Sequence, residues 1–297
     1  MPALRDIMVV LDGTVRSEIR LTAAVDLARR HDAHVTGVSA LGLLTPPKAA
    51  THATGYPELP LSPSQFTSGS RLGAAKSRDA GPSFSERIER IEAEFRQVLR
   101  SHGVQGNWLL ADGKSSDAFA GPARLADLVV LGQFDPNHPS PRAGRQLVQH
   151  VLMTAGRPVL VIPYAGHFET IGTRILIGWN GSRAAARAVN DAMPLLAGAA
   201  SVIILEAYPM GRTQTTPVTT GRDLRCHLAH HGIRAETTRT VMNGISATDV
   251  LLSRATDFSA DLLVVGGSCH SRLRELILGG VTRGLLHDMT LPVLMSY

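Results

Sequence analysis

The chain has 297 residues, of which 44% are hydrophobic, 19% charged and 4% aromatic, with a formal net charge of +5. This is the composition of an ordinary globular protein with room for about two domains. It excludes a transmembrane bundle, because no apolar run approaches about 20 residues, and a disulfide framework, because the only cysteines are Cys226 and Cys269. Basic residues are interspersed with acidic ones and aromatics are few, which argues against a nucleic-acid surface. The N-terminal stretch lacks the pattern of a cleaved leader, so a cytoplasmic protein is expected.

Taken in chain order, Ile7–Leu11 reads as a buried apolar strand and Ser17–His31 as an amphipathic helix, with Ile19, Ala23, Leu27 and Arg30 at helical spacing. Ala33–Ser39 reads as a second strand. Leu44–Ser85 is rich in Pro, Ser, Gly, Ala and Thr, has no apolar period, and reads as a long surface loop. Phe84–His102 is a helix with Ile88, Ile91, Phe95, Val98 and Leu99 on one face. Then follow strand Asn107–Leu110, helix Ser116–Ala123, strand Leu128–Leu131, helix Arg145–Ala155 and strand Val159–Ile162.

The second half repeats this order: Ile175–Gly178, Arg183–Leu196, Ser201–Ala207, Arg222–His231, Ala235–Val241, Ala247–Thr256, Leu262–Val265, Gly280–Asp288 and Val293–Met295. The repetition extends to sequence. Ile7–Gly13 (IMVVLDG) resembles Ile175–Gly181 (ILIGWNG), Ala126–Gly132 (ADLVVLG) resembles Ala260–Gly266 (ADLLVVG), and Arg157–Tyr164 (RPVLVIPY) resembles Leu291–Tyr297 (LPVLMSY). The later two pairs share one offset, from Ala126 to Ala260 and from Arg157 to Leu291, while the first has a larger one. The first copy therefore carries the extra length, and Leu44–Ser85 is its place. Strands alternating with helices imply parallel sheets covered on both faces, with ligands at the carboxyl ends of the strands.

The loop after strand Leu262–Val265 is the one that points to chemistry. Gly266 and Gly267 follow a buried strand, and Gly279 and Gly280 open the next helix. Glycines there let backbone approach an anion, and the free N–H groups of a helix start point at it. The same geometry also permits tight packing with no ligand. No Walker A or GxGxxG dinucleotide pattern is present.

These segments resemble the universal stress protein family in its tandem two-domain form, over nearly the whole chain apart from Leu44–Ser85. The resemblance implies an α/β fold of two tandem five-stranded parallel-sheet domains, Rossmann-like and adenine nucleotide alpha hydrolase-like. The domains, residues 1–165 with an insertion at about 44–85 and residues 170–297, would pack as a pseudo-dimer through Val159–Ile162 and Val293–Met295. It also implies stress-response function, homo-oligomers and, in one subgroup, ATP with or without Mg²⁺. The family's nucleotide signature, Gly, two residues, Gly, nine residues, Gly, then Ser or Thr, falls on Gly266, Cys269, Gly279 and Gly280. The first and third positions match. Cys269 adds a side chain where glycine has none, and Gly280 removes a hydroxyl. Val281 and Thr282 continue the helix start. An acidic residue after the first strand, near adenine in the family, is Asn180 in the second copy and Asp12 in the first. The backbone near Ala207 would face the base. His270, Arg272, Arg274 and Arg283 are sources of positive charge.

In the first copy, Gly266, Cys269, Gly279 and Gly280 correspond to Gly132, Asp135, Arg145 and Gln146. A carboxylate and the loss of both helix-opening glycines oppose phosphate binding there, and Pro136, Pro139 and Pro141 stiffen the loop. The first copy is therefore expected to be structural or to bind a partner. Three readings stay open: a nucleotide-sensing stress protein without efficient catalysis, a scaffold that binds no nucleotide, and a slow ATPase, which lacks an evident general base. Cys226 with His230, and His227 with His231, are i,i+4 pairs on a helix, but a metal site needs a further ligand. Ser182 is placed to cap the helix that begins at Arg183, with no GxSxG context for a nucleophile.

Overall fold

The structure, a computed structural model, describes residues 3–40, 83–111, 117–135, 141–209, 219–267, 269–270 and 277–297. Most of Leu44–Ser85, with Pro136, Pro139, Arg272 and Arg274, lies outside the described residues.

The first half runs β1 (Asp6–Leu11), α1 (Val15–His31), β2 (His34–Ser39), α2 (Phe84–His102), β3 (Gly106–Leu110), α3 (Asp117–Ala123), β4 (Leu128–Gly132), α4 (Pro141–Thr154) and β5 (Val159–Ile162). The second runs β6 (Arg174–Gly178), α5 (Arg183–Leu196), β7 (Ser201–Pro209), α6 (Gly221–His230), β8 (Glu236–Met242), α7 (Ala247–Asp257) and β9 (Leu262–Gly266). It continues with β10 (Cys269–His270), β11 (Ile277–Leu278), α8 (Gly280–Asp288) and β12 (Val293–Ser296).

Ten strands form one sheet in the order β3-β2-β1-β4-β5-β12-β9-β6-β7-β8. Each half is a parallel five-stranded sheet, and the halves meet where β5 and β12 pair antiparallel, Val161 opposite Val293 and Val159 opposite Met295. The predicted α/β class and the meeting of the last strands both hold. Side chains alternate along each strand, so Ile7, Val9 and Leu11 face one core while Met8 and Val10 face the other. The first core lies under α1, α2, α5 and α6, the second under α3, α4, α7 and α8, and both run across the seam.

Matching aspartates brace matching strands. Asp127 accepts from the N–H groups of Arg5 (2.8 Å) and Asp6 (3.1 Å). Asp261 accepts from those of Gly172, Thr173 and Arg174 at 2.9–3.0 Å. These are the Asp residues of the repeated ADL segments, one strand over from the chain entering β1 and β6.

Three departures from expectation are local. Pro141, read as stiffening a loop, opens α4 four residues before the expected start; proline suits a first helical turn, whose N–H has no partner in the helix. Phe84 and Ser85, included in the expected loop, belong to α2 instead, as the expected helix Phe84–His102 has them; the Ser83 side chain accepts from Glu86 N–H while Glu86 answers at Ser83 N–H, a capping box that starts α2. Between β9 and α8, Cys269 and His270 pair antiparallel with Leu278 and Ile277, a ladder too short to leave a period in the sequence.

Candidate functional site

In each half, strand order reverses between the first and fourth strands, which opens a crevice at their carboxyl ends. In the second half this end is formed by β6, β9 and β7. Asn180 and Gly266–Gly267 follow or end β6 and β9, and Ala207 lies near the end of β7 opposite Thr240 of β8. The strand register therefore brings Asn180, Ala207, Gly266 and Gly267 to one edge of the sheet.

At Asn180 the chain turns sharply. Gly181 has φ +70°, which a side chain would oppose. Ser182 N–H donates to Asn180 Oδ1 (3.1 Å), and Ser182 Oγ accepts from Ala185 N–H (3.2 Å), the expected cap on α5. Asn180 is exposed. With Oδ1 occupied in the turn, its amide presents chiefly an N–H donor outward.

Gly266 sits against the start of α5. A Cβ there would lie 2.4 Å from the Ala184 carbonyl carbon and from Ala185 N. Gly267 donates its N–H to Ser296 O (2.7 Å), and a Cβ on it would meet the Tyr297 ring at 2.4 Å. Both glycines thus have a packing reason to be glycine. Gly279 and Gly280 differ. Gly279 is buried and extended (φ −61°, ψ 158°) as the N-cap of α8, and it supplies no side-chain cap. Gly280 is exposed, with open space where a side chain would project. Val281 is half-buried and Thr282 is buried. Four residues on, Gly284 packs on Thr248 of α7, which fixes the helix axis. Cys269 and His270 are placed by their backbone pairing alone.

The first half has the same turn, with Gly13 at φ +72° and Thr14 N–H donating to Asp12 Oδ1 (3.0 Å). Its crevice is filled differently. Asp12 Oδ1 also accepts from the hydroxyls of Thr14 and Ser17, both at 2.6 Å, and lies 2.7 Å from the Arg20 guanidinium. Arg20 is buried and donates further to Val10 O (3.1 Å) and Ser17 Oγ (2.9 Å). Burial alone would raise the Asp12 carboxyl. Arg20, then the hydroxyls and the Thr14 N–H, outweigh burial and hold it far below its ordinary value of 3.8. Asp12 is thus held through Oδ1 by groups of its own half. A small cavity remains beside it, lined by Arg16, Arg20, Gln133, Asp135 and Tyr164.

Sequence reasoning missed two further polar residues. Glu206 is 2% exposed inside β7. It accepts from Gly221 N–H at the start of α6 and from Tyr208 Oη (both 2.8 Å), and from Arg239 Nε (3.0 Å). Burial alone would raise its carboxyl, but the Gly221, Tyr208 and Arg239 hydrogen bonds hold it below the ordinary glutamate value. Its signal was a lone acid in the apolar run SVIILEAY. Gln133 crosses the seam: its Nε2 donates to the carbonyls of Leu286 (3.0 Å) and His287 (2.9 Å) at the end of α8, while its Oε1 accepts from Tyr164 N–H (3.1 Å). It ties the first half to the helix that begins at Gly280.

The remaining candidates do not assemble. His227 and His231 touch edge to face at 4.9 Å, Cys226 is exposed, and no cluster of three metal-ligating side chains occurs among the described residues. Among those residues, no helix is long and apolar enough to cross a membrane.

Residues 173–296 match the model of the universal stress protein family. No curated protein matches the chain in sequence. Solved structures do match in fold. A universal stress protein from Archaeoglobus fulgidus aligns with 98% of this chain and 97% of its own, at 12% identity and a TM-score of 0.63. A structure from Pseudomonas aeruginosa, described under the same family name, aligns over 99% of this chain and 93% of its own, at 15% identity and a TM-score of 0.57. Residues 173–296 therefore form a domain of the universal stress protein family, and the chain as a whole shares the fold of solved structures bearing that name.

Proposed function

We propose that the protein is a stress-response protein whose second half binds ATP or a related adenine nucleotide, with or without Mg²⁺, and does not turn it over efficiently. The observation that carries this reading is the start of α8. Gly279 leaves the first turn without a side-chain cap, and Gly280 faces open space, so the first N–H groups of the helix are available to a phosphate. Asn180 and the end of β7 around Ala207 stand at the same sheet edge for the base. Asn180 offers a donor where the family has a carboxylate acceptor, which favours a ring nitrogen over an exocyclic amine as its partner. Loss of the hydroxyl at Gly280 costs one neutral hydrogen bond, about 0.5–1.5 kcal/mol, which weakens phosphate binding without removing it.

A second reading, a scaffold that binds protein partners and no nucleotide, is favoured by one observation: Gly266 and Gly267 are accounted for by packing against Ala184 and Tyr297. Calorimetric titration with ATP and Mg²⁺ separates the two. Saturable binding to the wild type that disappears in Gly279→Asp supports the nucleotide reading. No binding at millimolar ATP overturns it in favour of the scaffold.

A further inference from the structure

Between the halves lies a cleft of about 570 Å³, formed by α4 on one side and α8 on the other. Its volume is within the range of small-molecule sites, roughly 300–1,000 Å³. Phe134, Arg145 and Gln149 line it from the first half, and Gly280 and Arg283 from the second. The Arg145 guanidinium lies 4.4 Å from the centroid of the Phe134 ring. That stacking holds a planar, permanently charged group in one orientation. Arg283 faces the same cleft from the first turn of α8, near the exposed Gly280. The carboxylate that lines the cleft, Asp288, is held 2.6 Å from His287 Nδ1. Among the described residues neither Arg145 nor Arg283 forms an ion pair with a carboxylate.

We propose that this seam is an anion site for a small molecule carrying two linked phosphate groups, one met by Arg145 and the other by Arg283. Guanidinium groups meet phosphate oxygens through paired N–H donors. Two of them on opposite walls suit a diphosphate better than a single phosphate. The site is composite, because neither half supplies both guanidiniums. It also gives Arg145 a use. By sequence offset Arg145 corresponds to Gly279, but because α4 opens at Pro141 it stands in the second turn of its helix, where its side chain supplies the cation here. The site shares the start of α8 with the nucleotide reading but needs no base contact at Asn180 or Ala207.

The probe is inorganic pyrophosphate, which has no base, titrated calorimetrically into the full chain. Saturable binding is expected, weakening steeply as salt rises from about 0.1 to about 0.5 M. Arg145→Gln and Arg283→Gln are each expected to weaken it by about tenfold or more. Gln149→Glu places a carboxylate in the cleft while sparing both guanidiniums, and is expected to weaken it comparably. Arg96→Gln, an equal loss of charge on exposed α2, and Asn180→Ala are expected to stay within about twofold of wild type. Circular dichroism melts of each variant confirm that the fold persists. Absence of saturable binding to the wild type overturns the proposal. So does unchanged binding in Arg145→Gln, which would assign the anion to the start of α8 alone.

Discussion

The two crevices share a backbone and differ in what fills them. Gly13 and Gly181 sit at φ +72° and +70°, and the turns closed by Asp12 and Asn180 have hydrogen bonds of 3.0 and 3.1 Å. In the first half, Ser17 and Arg20 reach back from α1 to Asp12, and Gly132 at the end of β4 leaves room for the guanidinium: a Cβ there would lie 2.3 Å from an Arg20 nitrogen. In the second half the corresponding residues are Ala185 and Ala188. With no side chain to accommodate, Gly266 at the end of β9 lets the start of α5 come within van der Waals contact of the strand. One glycine position thus serves a buried ion pair in one half and a close helix–strand approach in the other. A shared motif position does not establish a shared role, and the occupied crevice is the one that retains the acidic residue.

The largest expected effect comes from breaking the buried pair. Arg20→Ala leaves Asp12 buried without its guanidinium and should cost about 3–5 kcal/mol in equilibrium denaturation. Its counterpart, Ala188→Ser, removes no partner and should cost far less. The same pair sets an acid response. The folded-state pKa of Asp12 lies below its unfolded value. Its stabilisation is therefore fully present above about pH 4 and is lost as pH falls from there toward the folded value. Urea midpoints measured between about pH 5 and pH 2.5 should fall less steeply in Arg20→Ala than in the wild type. Parallel slopes would show that the pair does not control acid stability.

Much of this architecture was legible in the sequence. Buried parallel strands are short apolar runs, the helices carry apolar faces, and the repeat matched strands between the halves, so element order followed, while the β5–β12 seam was implied by the family resemblance. What fills the crevices was not legible. Arg20 sits in a helix where an arginine ordinarily faces water, and its burial depends on Gly132, more than a hundred positions away. Gln133 acts across the seam, on contacts that no local period encodes. The glycines of the phosphate signature were legible as glycines but not as to cause, since packing and anion binding select the same residue. Gly266 and Gly280 separate those causes only when their neighbours are known.

That separation gives the next effect in size. Gly266→Ala drives a methyl into the backbone of Ala184 and Ala185, which cannot yield as a flexible side chain would. It should destabilise by about 1–3 kcal/mol or more, with the loss read from the denaturation midpoint. Gly280→Ala adds a methyl into open space at a position without positive φ, and should be neutral or stabilising by up to about 1 kcal/mol. If the two substitutions had equal effects, the distinction between the packing glycine and the accessible one would fail.

The smallest effect tests whether the two turns are independent units or parts of larger networks. Ser182 caps α5 through Ala185 N–H, so Ser182→Ala should cost about 1 kcal/mol. Thr14 occupies the same place before α1 but makes no side-chain cap; its hydroxyl donates to Asp12 instead. Thr14→Ala therefore acts on the carboxylate that Arg20 also holds. In a double-mutant cycle, Thr14→Ala and Arg20→Ala should couple by about 0.5–3 kcal/mol, because they share one acceptor. Ser182→Ala and Arg20→Ala share none and should add to within about 0.5 kcal/mol. Additivity in the first cycle would reduce the filled crevice to separate contacts. Coupling there but not in the second would make Asp12, Thr14, Ser17 and Arg20 a single buried unit, built into one half where the other has a short, local cap.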